Sequence, residues 1–155
     1  MTDIDATDCR ILAILQRDSS VSMEELSEQV NLSRNACWRR VKNMEAAGVI
    51  RGHAAILDAE KLGCGLAALV FIRAANHDPD WLEKFRRAVA TIPHVVEAYR
   101  MSGDLDYMLK VQVADMRAYD RFYQKLIRTV PLADVSASFV MEEIKENRGL
   151  PLEPV

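Results

Sequence analysis

The chain lacks any pair of cysteines close enough to act together. Cys9, Cys37 and Cys64 stand far apart with no C-x-x-C spacing. That argues against a disulfide framework or a tetrahedral zinc site and fits a reducing compartment. His53, His77 and His94 are equally scattered, so packed or solvated histidines are expected, not metal ligands. No stretch approaches the ~20 apolar residues that a membrane span needs. The start, Met-Thr-Asp-Ile-Asp, has neither a basic nor an apolar leader region. A soluble, cytoplasmic protein with no membrane partner is expected. An overall excess of positive charge is also missing: 20 Lys and Arg face 23 Asp and Glu, for a formal net charge of −3. Any contact with nucleic acid must therefore rest on a local patch. No nucleophile–base pair and no phosphate loop is recognisable, so neither an enzyme nor a resident cofactor is expected.

What is present begins with 155 residues, half of them hydrophobic, enough for one domain or two small ones. The local patch lies in the stretch from Leu32 to Glu45. Ser33 is a good helix N-cap. Cys37, Val41 and Met44 follow at i, i+4, i+7 and form one apolar stripe. At about 100° per residue, Asn35, Arg39 and Lys42 fall opposite that stripe, with Arg34 and Trp38 on its flank. Between Arg34 and Arg51 there are five basic residues and one acid, Glu45. A solvated basic face would give the same charge pattern, so the neighbouring segments decide between the readings. Asp5 caps a first helix to about Gln16, with Ile4, Asp8, Ile11, Leu12 and Leu15 on its inner face, Asp8 near the edge, and Cys9 at the border. Cys9 is read as a packed small residue, with a reactive thiol as the alternative. Ser22 and Glu25 form a capping box for a short helix that buries Met23, Leu26 and Val30. Asn31-Leu32-Ser33 then makes a tight turn into the basic helix.

A short helix, a tight turn and a longer helix with a polar outer face make a helix-turn-helix. Arg39, Arg40 and Lys42 suit phosphates or a guanine edge, Asn35 suits adenine, and Ser33 or Arg34 suits the backbone. Ser22, at the start of the preceding helix, is counted with these double-stranded DNA contacts. Trp38 either packs on the scaffold, the first reading, or lies along the sugar-phosphate backbone. Gly48 is the expected helix stop. Val49 to Leu57 is expected to be extended, as a minimal wing or a linker strand.

The composition changes between Asp58 and Gly65. Apolar Leu66 to Ala75 reads as a strand. Asp78-Pro79 starts a helix with Leu82, Phe85, Val89 and Ile92 inward. Strands are expected at Val95–Met101, Asp106–Val113 and Val135–Glu142, with a second helix from Asp115 to Pro131. The order β-α-β-β-α-β is the ferredoxin-like split unit, with both helices on one face of an antiparallel sheet. The fold class is therefore α+β: an N-terminal winged helix-turn-helix and a C-terminal ferredoxin-like βαββαβ domain. The expected divisions are 1–52 for DNA binding, 53–65 for linker strand and hinge, 66–145 for the split unit and 146–155 for a tail. Because the first strand is apolar on both faces, the second sheet face is expected to be covered by a partner subunit in a two-fold dimer.

The segment from Arg100 to Tyr107 packs Gly103, Asp104 and Asp106 into one hairpin. A plain hairpin with positive φ at Gly103-Asp104 is the simplest reading. A metal held by Asp104 and Asp106 is a second, and this pair is also the only candidate for catalysis. A third is a pocket for a zwitterion such as an amino acid.

In sum, the chain resembles the Lrp/AsnC family of transcriptional regulators over nearly its whole length. The likeness rests on Asp5-x-x-Asp8-x-x-Ile11-Leu12-x-x-Leu15-Gln16, on Leu32-Ser33 through Cys37-Trp38-Arg39-Arg40-Val41, and on Met44-Glu45-x-x-Gly48-Val49-Ile50. It continues in Gly103-Asp104-x-Asp106-Tyr107 and Phe139-x-Met141-Glu142-x-Ile144-Lys145. The resemblance implies that the turn lines an amino-acid effector pocket between subunits. The residues it implies there are Tyr99, Met101, Ser102, Gly103, Asp104, Asp106, Tyr107 and Ser136. It also implies dimers assembling further, often to octamers. Segments such as Tyr99-Arg100-Met101-Ser102-Gly103 look closest to the family's cysteine-responsive branch, which controls cysteine detoxification. Asn35-Ala36 stands where many relatives carry Thr-Pro, and Glu146-Asn147-Arg148 where that branch tends to have aromatic and hydroxyl residues. A nucleoid-type architectural protein with no specific effector would use the same basic helix.

Overall fold

The structure, a computed structural model, describes residues 4–76, 78–145 and 149–152. His77 and the Glu146-Asn147-Arg148 stretch lie outside the described residues. The chain divides into two compact units, one running up to Ile56 and including Lys145 and the described tail, the other spanning Leu57–Ile144.

The first unit holds three helices, α1 (Ala6–Leu15), α2 (Met23–Gln29) and α3 (Arg34–Ala46). Each starts where a polar side chain takes up amides that the first turn leaves unpaired. Asp5 accepts from the Thr7 and Asp8 amides, and Asp8 reaches back to the Asp5 amide. Ser22 and Glu25 exchange the same reciprocal bonds at α2. Asn31 ends α2 in the left-handed region at φ 56, and the Leu32 and Asn31 amides donate to the Ser27 and Glu28 carbonyls. Gly48 (φ 73) closes α3 the same way, with the Val49 amide on the Met44 carbonyl. Ile11, Leu26, Val30, Cys37, Val41 and Met44 meet in one core. Cys9 is buried as well. Gln16 exchanges two hydrogen bonds with the backbone of Leu150, so the described tail lies on the end of α1.

Residues 51–58 form no strand, although a linker strand is expected there. An extended segment becomes a strand only with a ladder partner, and among the described residues no strand pairs with it. Ile56 is left exposed.

The second unit alternates β1 (Leu66–Ala74), α4 (Pro79–Thr91), β2 (Val95–Arg100), β3 (Tyr107–Val113), α5 (Met116–Thr129) and β4 (Leu132–Phe139). The sheet order is β2-β3-β1-β4, and every pairing is antiparallel. Ala68, Val70 and Ile72 of β1 and Tyr107, Leu109, Val111 and Val113 of β3 point to the helical face. They pack with Trp81 and Phe85 of α4 and with Phe122 and Leu126 of α5. Burying each of these side chains contributes about 1.5–3 kcal/mol. The fourth strand runs earlier than its apolar alternation suggests. It begins at Leu132, directly after Pro131, because a register shift at Arg73/Ala74 lets Leu132 pair with Ala74. It stops at Phe139, and Met141 is almost wholly exposed.

On the opposite face the register aligns Tyr99, Met108, Phe71 and Ser136 in one row. The next row holds Lys110, Leu69 and Ser138, with Lys110 paired to Glu97 at 3.6 Å. Leu69, Phe71 and Met108 are half-buried there.

Candidate nucleic-acid interface and ligand site

The polar face of α3 is set by its N-cap and its buried stripe. Ser33 accepts from the Ala36 amide at 3.3 Å. With Cys37, Val41 and Met44 turned inward, Arg34, Asn35, Arg39 and Lys42 are exposed. Arg34 and Arg39 make no ion pair or side-chain hydrogen bond among the described residues. Lys42 is bound to Glu45 at 2.6 Å, and His53 approaches the same carboxylate at 3.4 Å. The Lys42 hydrogen bond, then His53, holds the Glu45 carboxyl below its ordinary range. Ser22 is spent as a cap: its hydroxyl donates to Glu25 at 2.9 Å and accepts the Glu25 amide at 3.2 Å.

Two expectations for this helix change. Trp38 is at most partly packed on the scaffold; it is 53% exposed. It sits on the same flank as Arg34, about 100° from Cys37, beyond the reach of the core stripe. Arg40 is not a free cation. Its guanidinium donates to Asp5 at 2.7 Å and to Asp8 at 2.9 Å, on the flank away from Trp38. Arg40 therefore ties the middle of α3 to the cap of α1. Sequence reading missed this, yet a signal was available. Asp8 lies on the apolar face of α1, and a buried carboxylate needs a partner.

We expect Arg40→Met to lower the melting temperature of the first unit. The exposed Asp5 arm contributes little to that loss, which falls mainly on the buried Asp8 carboxylate left without its guanidinium. The substitution should leave the salt slope of DNA binding little changed, because the guanidinium is already engaged by two carboxylates. Salt titration by fluorescence anisotropy separates the two effects. The cap is also acid-sensitive. The Asp8 amide, then Arg40, holds the Asp5 carboxyl below its ordinary range. A depressed pKa contributes stability above the unfolded value and loses it as pH falls through the folded one. The loss is expected below about pH 4 and should shrink in Arg40→Met.

In the second unit, the loop from Met101 to Asp106 joins β2 to β3. It is closed by the Met101 amide donating to the Asp106 carbonyl at 2.8 Å. Gly103 has φ +113 with open space around its missing Cβ, so backbone conformation alone demands glycine. Asp104 does not share the positive φ that a two-residue hairpin would give it. Met101, Ser102, Gly103 and Asp104 are exposed. Asp106 is a strut: its amide donates to the Ile72 carbonyl at 3.0 Å, and its carboxylate accepts the Ala74 amide at 2.8 Å. The loop is thereby fixed to the end of β1. Among the described residues no group of three or more His, Cys, Asp or Glu could hold a metal ion.

The remaining expected ligand residues are dispersed. Tyr99 lies on the open sheet face, its hydroxyl donating to Glu97 at 2.7 Å. Ser136 shares that face at the far edge, three strand spacings or roughly 14 Å away. Tyr107 is on the other side altogether, 7% exposed among Trp81 and Phe85. Strand alternation places it with Leu109 and Val111, away from the exposed turn. Buried Cys37 has its thiol pushed up by burial, consistent with a core role.

A helix-turn-helix with unpaired arginines on its exposed helix, followed by a βαββαβ unit, defines a DNA-binding protein with a separate ligand-binding domain. Comparison with known proteins agrees. Residues 4–51 match the winged helix-turn-helix DNA-binding family and residues 67–150 the Lrp/AsnC ligand binding domain. The chain is 50% identical over 149 residues to the glutamate uptake regulatory protein of Zymomonas mobilis, covering 96% of this chain and 91% of that one. An AsnC family transcriptional regulator from Agrobacterium tumefaciens superposes with TM-score 0.91 at 46% identity, over 95% of this chain and 96% of that one. A Neisseria meningitidis transcriptional regulator in complex with L-Met has TM-score 0.91 at 36% identity, with the same coverage. The chain belongs to the Lrp/AsnC family of DNA-binding transcriptional regulators, which are not enzymes. Among the described residues no helix is long and apolar enough to cross a membrane.

Proposed function

We propose that the protein is a sequence-specific transcriptional regulator whose DNA binding or assembly responds to an amino acid held at the Met101–Asp106 loop. The observation that carries the first half is the pair Arg34 and Arg39, exposed and without ion pairs beside Asn35 on α3. Arg34, Asn35, Trp38 and Arg39 form the reading face, with Lys42 available once it leaves Glu45. The second half is supported by a loop with exposed amides around Gly103 and a solvated Asp104, which suit a carboxylate and an ammonium. The Neisseria meningitidis relative of similar fold is a complex with L-Met, which supports an amino acid as the class of ligand. We take cysteine as the first effector to test, on the likeness of the Tyr99–Gly103 segment to the cysteine-responsive branch.

In this reading residues 1–52 bind DNA, 53–65 are linker and hinge, and 66–145 bind effector and oligomerise, in the cytoplasm. The half-buried Leu69, Phe71 and Met108 and the exposed Ile56 and Leu57 support pairing with a second copy, and further assembly to an octamer is taken from the family resemblance alone. A two-fold dimer would present two α3 helices to paired half-sites.

Calorimetry against the twenty amino acids, with light scattering alongside, tests the effector half. Asp104→Ala is expected to spare basal DNA binding and to weaken effector binding about tenfold or more, as loss of a charged partner does. An unchanged isotherm would remove Asp104 from the site. Footprinting on promoter and random duplex at several salt concentrations tests specificity. Equal affinity for both would make the protein an architectural one.

A further inference from the structure

The second unit contains a groove that the turn does not use. It lies between α4 and the edge strand β2, with a volume of about 260 Å³. The groove exists because α4 covers the sheet unevenly. Its inner row, Trp81, Phe85, Ala88 and Ile92, reaches the core. Its next row, Leu82, Arg86, Val89 and Ala90, overhangs β2 without filling the space. Opposite it, Ala98 occupies the helix-facing position beside Leu109, where a larger side chain would close the gap. The floor is therefore apolar.

Two polar features point to what fits. Tyr107 lines the groove although the residue is 7% exposed. Its hydroxyl has no hydrogen-bond partner among the described residues, and no fully buried side-chain polar atom there lacks one. The hydroxyl therefore reaches solvent, and because Tyr107 lines the groove it is a donor available to a ligand there. At the rim stand Arg86 and Arg100, on α4 and β2, both exposed and neither in an ion pair among the described residues. No carboxylate lines the groove, so a ligand's ammonium would go unmatched there.

The geometry points to a second ligand site, for an amphipathic anion without an amino group. Its apolar body lies along Leu82, Phe85, Val89 and Ala98. Its carboxylate meets Arg86 and Arg100 and accepts from Tyr107. Arginine matches a carboxylate with two parallel N–H donors, so the rim recognises planar anions in particular. The class is a medium-chain or aromatic carboxylate, including a 2-oxo acid. It is distinct from the zwitterion proposed at Gly103, because that ligand needs an acidic partner and this groove has none.

Calorimetry on the full chain with octanoate, octylamine and cysteine as separate probes tests the site. Saturable octanoate binding is expected at one site per chain, with octylamine at least tenfold weaker. Arg86→Gln with Arg100→Gln should weaken octanoate at least tenfold, Tyr107→Phe several-fold, and Ala98→Leu should abolish binding by filling the groove. Thermal melts confirm that each variant is folded, and Trp81, stacked on Phe85 at 5.1 Å, reports occupancy by fluorescence. Equal affinity for octanoate and octylamine, no octanoate binding at millimolar concentration, or an unchanged isotherm in the double arginine variant would overturn the proposal. The cysteine titration reads the Gly103 loop independently, so either site can fail alone.

Discussion

Replacing Arg34 and Arg39 together with alanine is expected to weaken duplex binding by a factor of ten to a thousand at fixed salt. The range follows from about 1–3 kcal/mol for an arginine that pairs bidentately with a base, and less for one on a phosphate. The two roles can be told apart. An arginine on a phosphate releases a counterion, so its loss lowers affinity on all sequences and reduces the slope of log K against log salt by about 1. An arginine on a guanine leaves the slope nearer its original value and relaxes specificity at one position. The surrounding charges sharpen the comparison. Lys42 already holds Glu45 at 2.6 Å, so Lys42→Ala should have the smaller effect. Arg40 is engaged by Asp5 and Asp8, so Arg40→Met should change the slope little. Fluorescence anisotropy between 50 and 200 mM salt, on an operator and a scrambled duplex, measures all of these. Unchanged affinity in the double arginine variant would move the reading face off this side of α3.

The architecture could be read from sequence because it depends on periodicity and caps, which are local. Ser22 with Glu25, Ser33 and Gly48 mark helix ends by hydrogen bonds made within five residues, and the structure contains those bonds. The stripe Cys37, Val41, Met44 is buried as its spacing implies. The features that were not legible depend on contacts between distant residues. Arg40 looks like any other base on α3 until α1 brings two aspartates against it. Trp38 reads first as packed on the scaffold, yet it is 53% exposed once the three helices are assembled. The start of β4 moves because a register shift in its pairing with β1 cannot be read from β4 alone. At the turn, one stretch of sequence supplies three different roles. Asp104 is solvated, Asp106 braces β1, and Tyr107 enters the helical face. Consecutive residues of a strand point to opposite faces, so adjacency in the motif does not mean adjacency in a site.

Leu26→Ala should abolish DNA binding without touching the DNA face. Leu26 is fully buried on α2, and truncating a leucine in such a site removes about 2–5 kcal/mol. The loss falls on a unit with little to spare. Its buried apolar cluster has six members, Ile11, Leu26, Val30, Cys37, Val41 and Met44. A domain of some 60 residues buries only about 60% of its unfolded surface and rarely holds more than about 3–5 kcal/mol of stability. The same truncation at Leu126, in the larger cluster of the second unit, starts from a deeper reserve. Scanning calorimetry should therefore show the first unit's transition reaching ambient temperature in Leu26→Ala, with the second unit's transition retained. DNA affinity should vanish at every salt concentration, unlike the graded, salt-dependent loss expected for the arginines. Amino-acid binding at the Met101–Asp106 loop should persist, because the Met101, Asp106 and Ala74 hydrogen bonds that shape the loop lie within the second unit. Loss of both transitions together would mean that the two units fold as one cooperative body, and that effector and DNA binding are coupled through folding.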